Sequence, residues 1–405
     1  MRSWGVLFFL VFIIFSCKKE EKQINDGMWL AKLKVMDNQT LPFNFKLIKT
    51  NTSYSAEIYN GEEIILSEEV IFFKDSILIK MPVFEGYLKG AYTLNRIEGS
   101  FVKEGLNRSV PFVAEHGVTS RFQSNEPSEV SISGIWETNF SEGTDDAYLG
   151  KGIFIQNDNK VTGTFRTTTG DYRFLEGVVS GDSLKLSTFD GAHAFLFTAK
   201  VTDSTLNGVF YSGNHFKEPF VAKRNEVFEL PNEDNLTYLK DGFDVFDFSF
   251  PDETGKLISL SDDQFIDKPV IVQIMGTWCP NCLDETKYLT NYLNENPENE
   301  IEVVALAFEY AKTDTLAFKS INRLKDRVGV KYPILLAQYG SIDKDLAQEK
   351  LPMLNHVLSY PTTIFIDKKG EVRKIKTGFN GPATGDKFEA FKNDFEKLVS
   401  TLISE

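Results

Sequence analysis

Two cysteines three residues apart are the side chains of this sequence best placed to do chemistry. In Trp278-Cys279-Pro280-Asn281-Cys282 they follow an apolar run, Val270 to Met275, interrupted only by Gln273. Behind them Cys282, Leu289 and Leu293 recur at helical spacing. That is a strand buried on both faces, then a helix. The placement matters more than the pattern. A cysteine at a helix N-terminus meets free backbone N–H donors and the positive end of the helix dipole. Both favour the thiolate, the form that attacks disulfides. A second cysteine one turn on can attack the mixed disulfide and release the product. Cys279 is therefore expected to be the nucleophile and Cys282 the resolving thiol, with Pro280 suited to the first helical turn.

Three other uses of the pair compete. A zinc half-site would need two more ligands, and no second CxxC or CxxH exists. His116, His193 and His215 are scattered without ligand spacing, so a structural or surface role is expected for each. Haem attachment needs a histidine after the second cysteine, where Leu283 stands. A purely structural bridge would close only a tiny loop and gain little. The expectation is a redox-active disulfide with no metal and no other cofactor.

The elements around the pair form an alternating pattern. Ile301 to Phe308 reads as a second buried strand, Thr315 to Val328 as a helix and Pro333 to Ala337 as a short strand. Thr362 to Ile366 and Glu371 to Lys376 flank the turn Asp367-Lys368-Lys369-Gly370, and Phe388 to Ile403 is an amphipathic helix. Parallel strands with crossover helices, then a hairpin, predict a three-layer α/β/α sandwich over residues 244–405.

This region resembles the TlpA/ResA branch of the thioredoxin-like family. The motifs that carry the resemblance are Gly276-Thr277-Trp278-Cys279-Pro280-Asn281-Cys282 after a strand and Tyr360-Pro361-Thr362-Thr363-Ile364-Phe365-Ile366-Asp367 further on. The resemblance implies a cis Pro361 that faces the cysteines and turns the Tyr360 backbone toward substrate. It implies a carboxylate three residues after the second cysteine, here Glu285, able to move protons if burial raises its pKa. A solvated helix charge is the other reading of Glu285. Thioredoxin itself carries a buried aspartate where Gln273 stands, so proton transfer must use another group or water. Glu309 is a second candidate for it.

The implied activity is that of an envelope thiol–disulfide oxidoreductase, a reductase rather than an oxidase. Its partners would be protein thiols and disulfides and a membrane thiol that donates electrons. Phe250-Pro251-Asp252 is shared by peroxiredoxin-like chains, which offers a thiol peroxidase as an alternative. Gly276 and Val272 stand where peroxiredoxins carry threonine and proline, which argues against it.

Residues 27–225 read differently. Short alternating runs and turns, such as Gly152-Ile153-Phe154-Ile155-Gln156, Asn157 to Lys160, then Val161 to Phe165, are hairpin signatures. The segment also repeats itself at a nearly constant offset. Gly27 and Trp29 recur as Gly134 and Trp136, Asp75-Ser76-Ile77 as Asp182-Ser183-Leu184, and Pro111 to Ala114 as Pro219 to Ala222. Two tandem antiparallel β meander or barrel repeats are expected, over residues 27–120 and 133–225, each of about seven or eight strands. The polar stretch from Arg121 to Ser131 would link them, and the acidic stretch from Glu226 to Asp241 would be a hinge. The Gly-x-Trp opening resembles small calycin-type barrels, which close the sheet and remove its edges. With 35 Phe in the chain, side chains rather than a ligand are expected to fill them, and Trp29 and Trp136 to be core. If the repeats instead bind a ligand or protein, the redox domain would act on what they deliver.

The N-terminus carries an address. Arg2, the apolar run Val6 to Phe15, and Ser16-Cys17 have the order of a secretory signal, too short to span a bilayer. Ile14-Phe15-Ser16-Cys17 resembles the bacterial lipoprotein box. That implies a signal over residues 1–16, lipidation of Cys17, insertion of the lipid into a bilayer and a charged tether over 17–26. An ordinary signal with a chance cysteine is the other reading. Apart from Cys17 and the CxxC the chain has no cysteine, so it is no disulfide framework. A net charge of −14 argues against nucleic acid as a partner. The expected location is the cell envelope, facing the periplasm or the surface.

Overall fold

A computed structural model describes residues 23–51 and 53–405. Cys17 and the segment read as a signal lie outside the described residues. The chain forms two antiparallel β barrels followed by a thioredoxin-like α/β domain.

The first barrel has eight strands, from Gly27–Lys34 to Arg108–His116, each paired with the next. It closes where Trp29 lies opposite His116 and Leu33 opposite Phe112. The second runs from Gly134–Phe140 to Phe216–Arg224 and closes the same way, Arg224 opposite Trp136. A ninth strand, Gly170–Asp171, projects from it as a two-residue spur. Side chains alternate in and out along each strand, so an apolar residue at every second position fills the interior. Trp29 and Trp136 are fully buried, and each indole N–H donates to the carbonyl four residues back, Asn25 at 3.2 Å and Ile132 at 2.8 Å. The same bond at equivalent places is the structural trace of the repeat. The second interior is packed with the rings of Phe140, Phe165, Phe197 and Phe220. Each such ring contributes roughly 1.5–3 kcal/mol by leaving water.

The connecting segments are held more firmly than their composition implies. Arg121, expected in a free linker, is buried and donates to the carbonyls of Ser187, at 2.9 Å, and Tyr59. It thereby ties the barrels together. Phe189 of the second barrel stacks on Phe43 of the first, ring centroids 4.2 Å apart. The expected hinge is a strap. Asp234 pairs with Lys374 at 2.8 Å and Glu233 with Lys387 at 2.7 Å, both in the third domain.

That domain has a five-stranded sheet in the order Ile334–Gln338, Glu302–Phe308, Val270–Met275, Thr362–Ile366, Val372–Thr377. The first three strands are parallel, Thr362–Ile366 runs against them, and Val372–Thr377 turns back antiparallel to it. All six residues of Val270–Met275 are buried, so both faces of the central strand are covered. The helices are α1 (Pro280–Glu295), α2 (Asp314–Val328), the short α3 (Lys344–Lys350) and α4 (Asp386–Ser404). Tyr288 and Tyr292 of α1 pack edge-on against Phe395 of α4. Sequence patterning missed α3, whose seven residues give too few turns for a period.

Candidate active site

The site begins where the central strand ends. Gly276 lets the chain turn, since a Cβ there would lie 3.0 Å from the Phe308 carbonyl oxygen and strike Trp278. The Trp278 indole N–H donates to that same carbonyl at 2.9 Å. Cys279 then sits at the N-cap of α1 with extended backbone, and Pro280 opens the helix. Cys279 and Cys282 form a disulfide, with Cα atoms 5.2 Å apart. The Cys282 backbone N–H donates to Cys279 Sγ at 3.2 Å. An unsatisfied helix-end donor thus points at one sulfur of the pair and not the other.

Pro361 faces this pair. The Tyr360–Pro361 bond is cis, and the Tyr360 carbonyl oxygen lies 3.4 Å from Cys279 Sγ. Its ring meets Trp278 edge-on at 5.6 Å.

Glu285 is no solvated helix charge. It is 1% exposed and points at the sheet. Gln273 and Thr363 are cross-strand partners, and both reach it. Gln273 Nε2 donates to it at 2.8 Å and Thr363 Oγ1 at 2.7 Å. Gln273 Nε2 also lies 3.4 Å from the Cys282 carbonyl oxygen, which links the carboxyl to the resolving end of the pair. Burial pushes Glu285 up to about 7, against the lowering effect of the two hydrogen bonds. Glu309, just beyond the strand Glu302–Phe308, is equally buried and also pushed up to about 7. The Thr277 N–H and hydroxyl donate to it at 2.7 and 2.8 Å. Two carboxyls that change charge near neutrality therefore flank the CxxC turn, one on each side.

Residues with no motif complete the site. The spur of the second barrel lies across it. Asn281 donates to the Asp171 carbonyl at 3.3 Å, the Gly381 N–H to the Asp171 carboxylate at 2.6 Å, and Ser359 to the Thr169 carbonyl at 3.1 Å. Arg173, 4% exposed, pairs with Asp284 of α1, with Glu63 of the first barrel at 2.6 Å and with Asp190 at 3.6 Å. One guanidinium thus joins all three domains. Cys279 is left 6% exposed and Cys282 fully buried. Thr363 stood in the quoted Tyr-Pro-Thr-Thr motif and could have been found there. Arg173 gave no signal, because its partners lie far away in sequence. Among the described residues no group of three His, Cys, Asp or Glu could hold a metal.

The Redoxin family profile matches residues 240–392. The thiol-disulfide oxidoreductase ResA of Bacillus subtilis is 29% identical over 140 residues, which are 35% of this chain and 69% of that one. The ResA of Bacillus thuringiensis subsp. konkukian is 30% identical over 151 residues, 37% of this chain and 75% of that one. The chain belongs to the thioredoxin-like redoxin family. This redoxin is accordingly a thiol–disulfide oxidoreductase, and its CxxC lies inside the matched region. A solved thiol-disulfide oxidoreductase from Bacteroides fragilis aligns over 37% of the redoxin and 99% of its own chain, at 17% identity and a TM-score of 0.28. The profile match leaves both barrels outside.

Proposed function

We propose that this redoxin is a lipid-anchored envelope protein that reduces disulfides in other proteins by dithiol–disulfide exchange. The observation that carries the reading is the Cys282 N–H aimed at Cys279 Sγ from the first turn of α1. In the reduced protein that donor favours the Cys279 thiolate. The thiolate attacks one sulfur of a substrate disulfide and expels the other as a thiolate. Cys282 gives up its proton, attacks Cys279 Sγ and releases the second substrate sulfur. Two electrons pass to the substrate and the protein is left with its own disulfide. Glu285, one turn along α1 and tethered to the Cys282 backbone through Gln273, is the group to take the Cys282 proton. The Tyr360 carbonyl, beside the sulfur, is placed to pair with an extended substrate backbone.

The reductive direction is supported by the few donors that surround Cys279 Sγ. Strong oxidants stabilise their reduced form. Here, among the described residues, one backbone N–H donates to Cys279 Sγ and no Lys, Arg or His does. Two buried carboxyls nearby oppose a thiolate once ionised. A low reduction potential is expected, near thioredoxin's, roughly −270 mV. Equilibration against dithiol buffers tests this. A value near roughly −120 mV, that of a strong oxidant, would reverse the direction. The anchor rests on the Ser16-Cys17 signal. It would hold the redoxin beside a membrane thiol donor, and mass spectrometry of the mature N-terminus tests it.

A further inference from the structure

Beyond the thiols, the three domains enclose a cavity of about 950 Å³. Its floor is the open end of the second barrel, where Tyr172, Phe195 and Phe210 show the edge of the packed interior. Its far wall is Trp278, the residue before Cys279, together with Tyr310. The first barrel contributes Lys103 and Arg108. The volume is at the upper end of the range for ligand sites, roughly 300–1,000 Å³.

The cavity is lined by both signs of charge, Asp146 and Glu218 against Lys103, Arg108 and Lys217. Lys103 is 9% exposed, and its ammonium donates to the Ala192 carbonyl at 3.0 Å. Burial opposes its charge, and the smaller effects of Asp190 and Glu85 favour it without forming an ion pair. Arg108 is half-buried, with burial the main influence on it and Tyr310 the sole opposing one. Among the described residues, neither has a carboxylate within ion-pair distance. His215 at the rim is pushed down to about 4 by desolvation and then by Arg108 and Lys103. The carboxylate of Glu218 also faces the cavity but is already engaged, by Ser141 and Tyr148 at 2.7 Å each. Lys217 is paired with Asp37 at 2.7 Å. A buried cation with no carboxylate bonded to it is costly, and an entering anion relieves part of that cost.

We propose that this cavity is the substrate-recognition site of the reductase and takes an acidic, aromatic-containing peptide segment flanking the substrate disulfide. The carboxylate sits between Lys103 and Arg108, the apolar part lies on the rings of the second barrel, and the disulfide is presented past Trp278 to Cys279. The inference rests on the reductase reading.

The test uses the pre-reduced protein and two disulfide peptides identical except that Asp and Glu beside a Phe are exchanged for Asn and Gln. In a single turnover the protein dithiol becomes a disulfide and the peptide disulfide a dithiol, so no further reductant is needed. The acidic peptide is expected to half-saturate at about tenfold lower concentration, with the same limiting rate. The preference should shrink at high salt. Lys103→Met with Arg108→Met should bring the acidic peptide's half-saturation to that of the neutral one, and Arg108→Lys should keep most of the preference. Equal half-saturation by the two peptides in the native protein, or a preference that survives the double substitution, would overturn the proposal. Binding of the acidic peptide with both cysteines replaced by serine, read by tryptophan fluorescence, decides the point separately. If neither disulfide is reduced but this peptide binds in preference to its neutral twin, the reductase reading fails and the site stands.

Discussion

Gln273 Nε2 donates to Glu285 Oε2 at 2.8 Å, and the same amide lies 3.4 Å from the Cys282 carbonyl oxygen. A neutral amide on the central strand thus positions a carboxyl that belongs to the cysteine-bearing helix. Burial pushes that carboxyl up to about 7, so near neutral pH it can both hold and release a proton. The rate of substrate release is expected to rise with pH through about 7 as Glu285 becomes able to accept the Cys282 proton. Glu285→Gln should remove that inflection and slow the step on the order of a hundredfold. Gln273→Leu should retain an inflection but displace it upward, because a hydrogen bond that favours the charged form is lost. Stopped-flow rates across pH would show both. An unchanged profile in Glu285→Gln would assign the proton to another group.

Glu309 makes a prediction about stability. Its pKa in the fold is about 7 and its ordinary value 4.5. Below 4.5 both folded and unfolded chains hold the proton. Between these values the folded state keeps it while the unfolded chain releases it, so stability falls as pH rises and stops falling above about 7. The loss is on the order of 3 kcal/mol. Urea unfolding at about pH 5 and about pH 8 should show a pH-dependent loss that shrinks by that amount in Glu309→Gln. Glu285, raised for the same reason, adds a second loss over the same window. Equal pH dependence in native and Glu309→Gln proteins would contradict the buried, protonated carboxyl.

Arg173 makes a prediction about how the domains are joined. Arg173→Met leaves Glu63, Asp190 and Asp284 buried without their shared cation. Breaking such a group costs about 3–5 kcal/mol. Because Asp171 and Thr169 lie over the CxxC turn, loosening this junction should also uncover Cys279. After reduction, alkylation of Cys279 should be faster in Arg173→Met than in the native protein. An unchanged alkylation rate would mean that the second barrel does not gate access.

The third domain was largely legible in the sequence, because its evidence is local. A strand buried on both faces is a continuous apolar run, as from Val270 to Met275, and a helix start is marked by Cys279-Pro280. Glu285 stood out by its distance from Cys282, but whether it was solvated or buried depended on Gln273 and Thr363, which meet it only across the folded sheet. The two β domains were legible as a repeat, since Trp29 and Trp136 with their neighbours recur in order. What stayed hidden is what the repeats do to the site. Arg173 and the cavity residues Lys103, Arg108 and His215 look like ordinary surface charges in the chain. Only packing of three domains sets them beside Asp284, Trp278 and Tyr310.

The central claim is that Cys279 attacks and Cys282 resolves. It is tested most directly by reacting single-cysteine variants with a disulfide substrate and identifying covalent adducts by mass spectrometry. Cys282→Ser is expected to accumulate a mixed disulfide through Cys279, stable because nothing resolves it. Cys279→Ser is expected to form almost none, because Cys282 is fully buried and lacks the helix-end donor. Adducts formed equally well by both variants, or by Cys279→Ser alone, would contradict the assignment of the nucleophile and with it the mechanism.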